Sequence, residues 1–186
     1  PIAERIAVAD FPALALTVTQ VADYQHTDWT RHLFWSKRDP DLFVVIDHVA
    51  FKNDGPVSLT CTWRTPAHAE LQGRRWQSDQ GVHRFTLVSG SDIAATCAID
   101  PEQGACSPYV LRQRQAGTYR AGDEASFQNL FYVRPVDGRE DFTLHQLAPS
   151  CVLVQCDGMN HAWVGAGITP ATPCFPEAEV QAHSGW

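Results

Sequence analysis

The chain of 186 residues is poor in several things, and each shortage closes a door. No stretch of three turns carries apolar residues at i, i+3, i+4 and i+7, so amphipathic helices are not expected. No apolar run approaches the roughly 20 residues of a membrane helix, which argues against a membrane span. Basic residues are few: Lys and Arg number 14 against 21 Asp and Glu, a formal charge of −7. Nucleic acid is therefore excluded as a partner, because phosphate binding needs clustered positive charge. No pair of cysteines has the C-x-x-C spacing of zinc or thiol–disulfide chemistry. Gly-x-Ser-x-Gly, P-loop and dinucleotide fingerprints are missing too. These absences leave no expected catalytic residue, no metal ligand set and no cofactor.

What remains is the pattern of a β protein of one domain, residues 1–186. Leu14 to Val21 alternates and is rich in β-formers. Thr30 to Trp35 follows, and a charged turn at 37–41 leads to Leu42-Phe43-Val44-Val45-Ile46. That last run is apolar on both faces, so it predicts a central strand covered on both sides. After the turn Asn53-Asp54-Gly55-Pro56, the residues Val57, Leu59, Cys61 and Trp63 share one face while Ser58, Thr60 and Thr62 share the other. Further strands are expected at 68–71, 74–77, 82–88, 109–115, 125–133, 142–147, 151–155 and 162–164. About a dozen antiparallel strands predict a two-sheet β-sandwich. Residues 1–10 read as a polar leader, and residues 169–186, with Pro170, Pro173 and Pro176, as an irregular tail.

Thr27-Asp28-Trp29-Thr30-Arg31-His32-Leu33-Phe34-Trp35, then Leu42 to Val49 with Asp47-His48, then Leu59-Thr60-Cys61-Thr62-Trp63-Arg64-Thr65, form a recognisable series. With Ser126-Phe127-Gln128-Asn129-Leu130-Phe131-Tyr132 it resembles the β-sandwich portion of heparinase II/III-like polysaccharide lyases, over about residues 10 to 168. The resemblance implies the sandwich and a glycan-related ancestry. In such lyases the catalytic Tyr and one His belong to a helical domain, and a His-rich segment precedes the Arg strand. Here residues 1–26 hold only His26, so no catalytic or metal residue carries over.

Six cysteines and a single methionine favour an oxidising compartment and a secreted or extracellular protein. The first five residues have neither the charged nor the apolar part of a signal peptide, which leaves a removed leader and a longer parent chain both open. Cys97 and Cys106 flank a turn and form the best disulfide pair, with Cys156 and Cys174 second. Cys151 and Cys156 lie in one strand, about 16 Å apart at 3.3 Å per residue, too far to bridge.

Asp47-His48, with His32 in an adjacent strand, is the one candidate acid/base or metal group. The structural reading has Asp47 accepting turn N–H groups and His48 solvated at a strand end. Among the aromatic residues, Trp29, Trp76 and Trp186 are expected to be exposed and free to stack on sugar rings. The function expected is a non-catalytic extracellular module with a structural, assembly or glycan-contacting role. The alternative is a detached β-domain of a polysaccharide lyase. Expected partners are polysaccharide and copies of the chain itself. The latter would dock by strand addition through the segment 1–21, although pairing of that segment within its own sandwich is the favoured arrangement.

Overall fold

The computed structural model describes residues 2–37, 42–100, 107–139 and 141–165, except for the side chains of Asn160, His161 and Trp163. Fourteen strands and no helix form among these residues. They are β1 (Glu4–Asp10), β2 (Leu14–Tyr24), β3 (Thr27–Ser36), β4 (Leu42–Phe51), β5 (Gly55–Thr65), β6 (Ala69–Gln72) and β7 (Arg75–Gln80). The series continues with β8 (His83–Ser89), β9 (Ala94–Ile99), β10 (Tyr109–Tyr119), β11 (Glu124–Pro135), β12 (Phe142–Ala148), β13 (Cys151–Cys156) and β14 (Met159–Gly165). No helix long and apolar enough to cross a membrane is present among the described residues.

Eight strands make one antiparallel sheet in the order β1-β2-β3-β4-β11-β8-β7-β6, and two three-stranded sheets, β5-β10-β9 and β12-β13-β14, complete the fold. The antiparallel sandwich expected from the sequence is thus present, with two small sheets in place of a single second one. Side-chain alternation along β4 decides where those two sheets lie. Leu42, Val44 and Ile46 join Leu130 and Tyr132 of β11 in a cluster with Phe142, Leu144, Val152 and Val154 of the β12-β13-β14 sheet. Val49 and Phe51, of opposite parity, join Ala125 and Phe127 in a cluster with Leu59 and Cys61 of β5. The register between β4 and β11 is unbroken. The two small sheets therefore cover opposite faces of the large one, and this explains the apolar run on both faces of β4. Gly90 permits the close approach on one side: a Cβ there would lie 3.1 Å from Leu144 and 3.2 Å from Gln128.

Several expectations need correction. Residues 4–10 are not a leader but the edge strand of the large sheet, paired with β2. Asp47 and His48 are not at a turn; β4 runs on to Phe51, and both are buried. Trp76 is 1% exposed, packed against Phe85 and Leu87, because alternation along β7 points it inward. Trp29 is half-buried, its ring stacked on Phe127 at 6.0 Å. Trp186, Cys106 and Cys174 lie outside the described residues. The Cys97 sulfur accepts from Trp76 Nε1 at 3.2 Å and donates to the Ala69 carbonyl at 3.5 Å, and its expected partner Cys106 is among those undescribed residues. Segment Leu14–Tyr24, by contrast, pairs with β3 of the same chain, the arrangement favoured from the sequence.

Candidate functional site

The side of β4 that faces β5-β10-β9 carries a buried polar network. Arg31 of β3 stands opposite Asp47 of β4 in register. Its guanidinium grips the carboxylate with two bonds, Nε to Oδ1 at 2.7 Å and Nη2 to Oδ2 at 2.8 Å. Trp29 Nε1 donates to Asp47 Oδ1 at 3.0 Å, and Cys61 Sγ lies 3.6 Å from Oδ2. Burial works against the charge of Arg31, but the Asp47 carboxylate outweighs it and holds the guanidinium pKa above its ordinary value. Burial, then the same carboxylate, pushes the Cys61 thiol up and out of reach of deprotonation. The Arg31 guanidinium also lies 4.9 Å from the ring centre of Trp63. Trp63 Nε1 donates to Gln113 Oε1 at 3.2 Å, and Gln113 Nε2 donates to Asn129 Oδ1 at 2.7 Å and Ser89 Oγ at 3.2 Å. This network fixes how β5 and β10 lie on the large sheet; within it the buried Asn129 Nδ2 has no hydrogen-bond partner.

Asp47 and His48, adjacent in sequence, point to opposite faces of β4 and so cannot act as a pair. His48 faces the other side, with Nε2 3.1 Å from Glu124 Oε2, though not aligned for a hydrogen bond. His32 lies on that same face, one residue pair away. Burial, then the nearby His48, keeps the His32 pKa below its ordinary value. Among the described residues no three His, Cys, Asp or Glu side chains stand together to hold a metal.

Two open surfaces adjoin this frame. The first is the outer face of β5-β10-β9. The register aligns Ser58, Thr60, Thr62 and Arg64 of β5 with Arg112 and Arg114 of β10 and with Thr96 of β9. Asp100, just beyond β9, is shared by Arg112 at 2.7 Å and Arg64 at 3.1 Å. Arg114 and the four hydroxyl side chains are exposed. Three arginines against one carboxylate make this flat face positive on a chain whose formal charge is −7. The second surface is a cleft of about 550 Å³ at the rim of the same sheet, lined by Ser91 to Ala94, Arg114 to Ala116, Tyr119, Glu124 to Ser126, Gln146 and Pro149. Gln115 Nε2 crosses its floor to the Ser126 carbonyl at 2.5 Å.

The arginine face escaped notice in the sequence, although arginines at i and i+2 in a strand must share a face. Glu124 gave no signal, because its partner His48 is distant in the chain.

This architecture is similar in fold to the β-sandwich portion of solved heparinase-type lyases, the fold that the sequence resemblance implied. No protein-family model matches the chain and no curated protein does. Solved structures do match it in fold. The heparan sulfate lyase HepC from Pedobacter heparinus superposes with a TM-score of 0.65 at 9% identity, over 88% of this chain and 28% of the lyase. A heparinase III does so with a TM-score of 0.58 at 11% identity, over 88% of this chain and 27% of that one. A further heparinase III gives 0.55 at 12%, over 88% and 28%. Identities this low carry the fold alone, and the chain spans little more than a quarter of the length of these lyases.

Proposed function

We propose that the chain is a non-catalytic, extracellular β-domain of the polysaccharide-lyase type. Its arginine face, β5-β10-β9, would contact an acidic glycan while chemistry is done by a helical domain. The observation that supports this most is the concentration of Arg64, Arg112 and Arg114 beside exposed threonines on one flat face of an otherwise acidic chain. Guanidinium groups bind carboxylate and sulfate groups in a bidentate fashion, and hydroxyls suit sugar hydroxyls. A fold shared with a heparan sulfate lyase makes heparan sulfate the first glycan to try. Trp29 and Trp186 remain the proposed stacking residues; the buried ring of Trp76 has no open face for a sugar.

The test is retention of the chain on immobilised heparan sulfate at low salt, with dextran as the uncharged control. Replacing Arg112 and Arg114 together by serine should weaken retention about tenfold, and rising salt should abolish it. Equal retention of the double variant would overturn the glycan-contact reading. The isolated chain should form no unsaturated product from heparin, heparan sulfate or alginate, and clear β-elimination would overturn the non-catalytic one. Assembly with copies of itself would require the β2–β3 ladder to open and re-form between chains. If deleting residues 1–21 turns polymers into folded monomers, exchange occurs; if both forms are monomers, it does not.

A further inference from the structure

Strand β10 outruns its neighbour. With β9 it pairs only from Tyr109↔Ile99 to Arg114↔Ala94, whereas with β5 it pairs on to Tyr119↔Gly55. Residues 115–119 thus have a strand on one side only, among the described residues. Alternate residues there turn their N–H and C=O groups toward the missing neighbour. The cleft of about 550 Å³ runs along this edge, with Glu124, Ala125 and Ser126 of β11 and Gln146 and Pro149 forming other parts of its wall.

Natural sheets guard such edges with lysine, proline or a bulge. None of these is here. Ala116, Gly117 and Thr118 are exposed and uncharged, and the register to β5 is unbroken through Tyr119. The Tyr119 ring covers one face of Gly117, 3.3 Å from where a Cβ would be, so approach is blocked from that face but not along the edge. The lining also has a charge preference. Asp92, 3.7 Å from Arg74, and Glu124, 3.1 Å from His48, supply two carboxylates whose side chains are 95% and 45% exposed and so still open to a further cation. Arg114, the basic residue of the lining, sits where β9 begins.

We propose that the open edge of β10 accepts an extended peptide segment of a partner protein by strand addition, and that this segment carries a lysine or arginine facing Asp92 and Glu124. A strand supplies in-register N–H and C=O groups, which a polysaccharide does not, and a cation answers the two carboxylates. This goes beyond the glycan contact and uses the strand edge, not the outer face, with Arg114 at the border of the two.

The probe is a short synthetic peptide of alternating valine and threonine with one central lysine; a twin carries glutamate in its place. Both are added to the full 186-residue chain, and backbone amide exchange is followed by mass spectrometry. The lysine peptide should slow exchange in residues 115–119 and bind about fivefold more tightly than its twin. Glu124→Lys should reverse that preference while leaving retention on heparan sulfate intact, which separates this proposal from the previous one. Unchanged exchange at residues 115–119 in the presence of peptide would overturn it. So would protection confined to another edge, or binding that appears only after removal of residues 166–186, since the chain's own end would then be the occupant.

Discussion

The two faces of the large sheet are built on different principles. Toward β12-β13-β14 it offers Leu42, Val44, Ile46, Val88 and Leu130, which meet Phe142, Leu144, Val152 and Val154 in a cluster of hydrocarbon and rings. Toward β5-β10-β9 it offers Arg31, Asp47, Ser89 and Asn129 among its apolar side chains. Apolar contacts reward burial but tolerate sliding; a bidentate ion pair and a relayed glutamine accept one geometry only. The β12-β13-β14 side adds to its burial the bonds from Gln128 to the Ala148 and Pro149 carbonyls, both 2.8 Å, while the β5-β10-β9 side is held by a buried ion pair and a relayed glutamine. That geometry matters because the outer face of that second side carries the three arginines in a fixed array.

The largest effect should come from the ion-pair side. Asp47 is fully buried, whereas the Arg31 side chain is 40% exposed, so the two halves of the pair are not equivalent. Arg31→Ala strands a buried carboxylate and should cost about 3–5 kcal/mol in urea unfolding. Asp47→Ala leaves a guanidinium that water can reach and should cost less. Replacing both, Arg31→Met with Asp47→Leu, should regain most of the loss; if the double variant stays as unstable as Arg31→Ala, the pair contributes more than its geometry implies. On the apolar side, Leu130→Ala should cost about 2–4 kcal/mol by leaving a cavity. Its unfolding should remain a single transition, with retention on heparan sulfate unchanged.

A smaller effect separates the faces by pH. The folded pKa of His32 lies below its ordinary 6.5, so the unfolded chain binds its proton more readily. Stability from this group is full above 6.5 and is lost as pH falls through that value toward the lower folded one. Melting temperature should therefore drop as pH is lowered through this window, and His32→Asn should flatten the drop; an unaltered pH profile in the variant would assign the effect elsewhere. The smallest expected change is chemical. With its thiol pushed up by burial and by Asp47, Cys61 should resist iodoacetamide in the folded chain at mildly alkaline pH and react on unfolding.

Much of this fold is legible in the sequence where burial follows alternation. Val57, Leu59, Cys61 and Trp63 face inward on β5, and the two-sided run at Leu42 to Ile46 is the central strand. Legibility fails where burial and polarity part company. β1 has no buried stripe, because it is an edge strand with Ile6 and Val8 half or more exposed, so it looks like a leader. Asp47 and His48 mimic a strand end, because the partners that satisfy Asp47 come from β3 and β5, and the group beside His48 is the far more distant Glu124. Trp76 stands among Arg75, Gln77 and Ser78, a context that suggests surface, and only the register with β8 turns it inward. A site made across strands leaves few marks in any one of them.

The order β4-β11 at the centre of the large sheet has a consequence for how the chain is made. The meander from β1 to β4 pairs neighbour to neighbour and can form as soon as it is synthesised. Its inner strand, β4, must then wait through the whole of β5 to β10 before β11 arrives to cover its other edge. During that interval the nascent protein presents its most apolar strand with an unclosed row of backbone donors and acceptors, the form in which sheets recruit strangers. Closure of such a distant pair is also slow. Yield in the cell should thus depend on how quickly the ribosome delivers β11 and on whether a chaperone shields β4 until then.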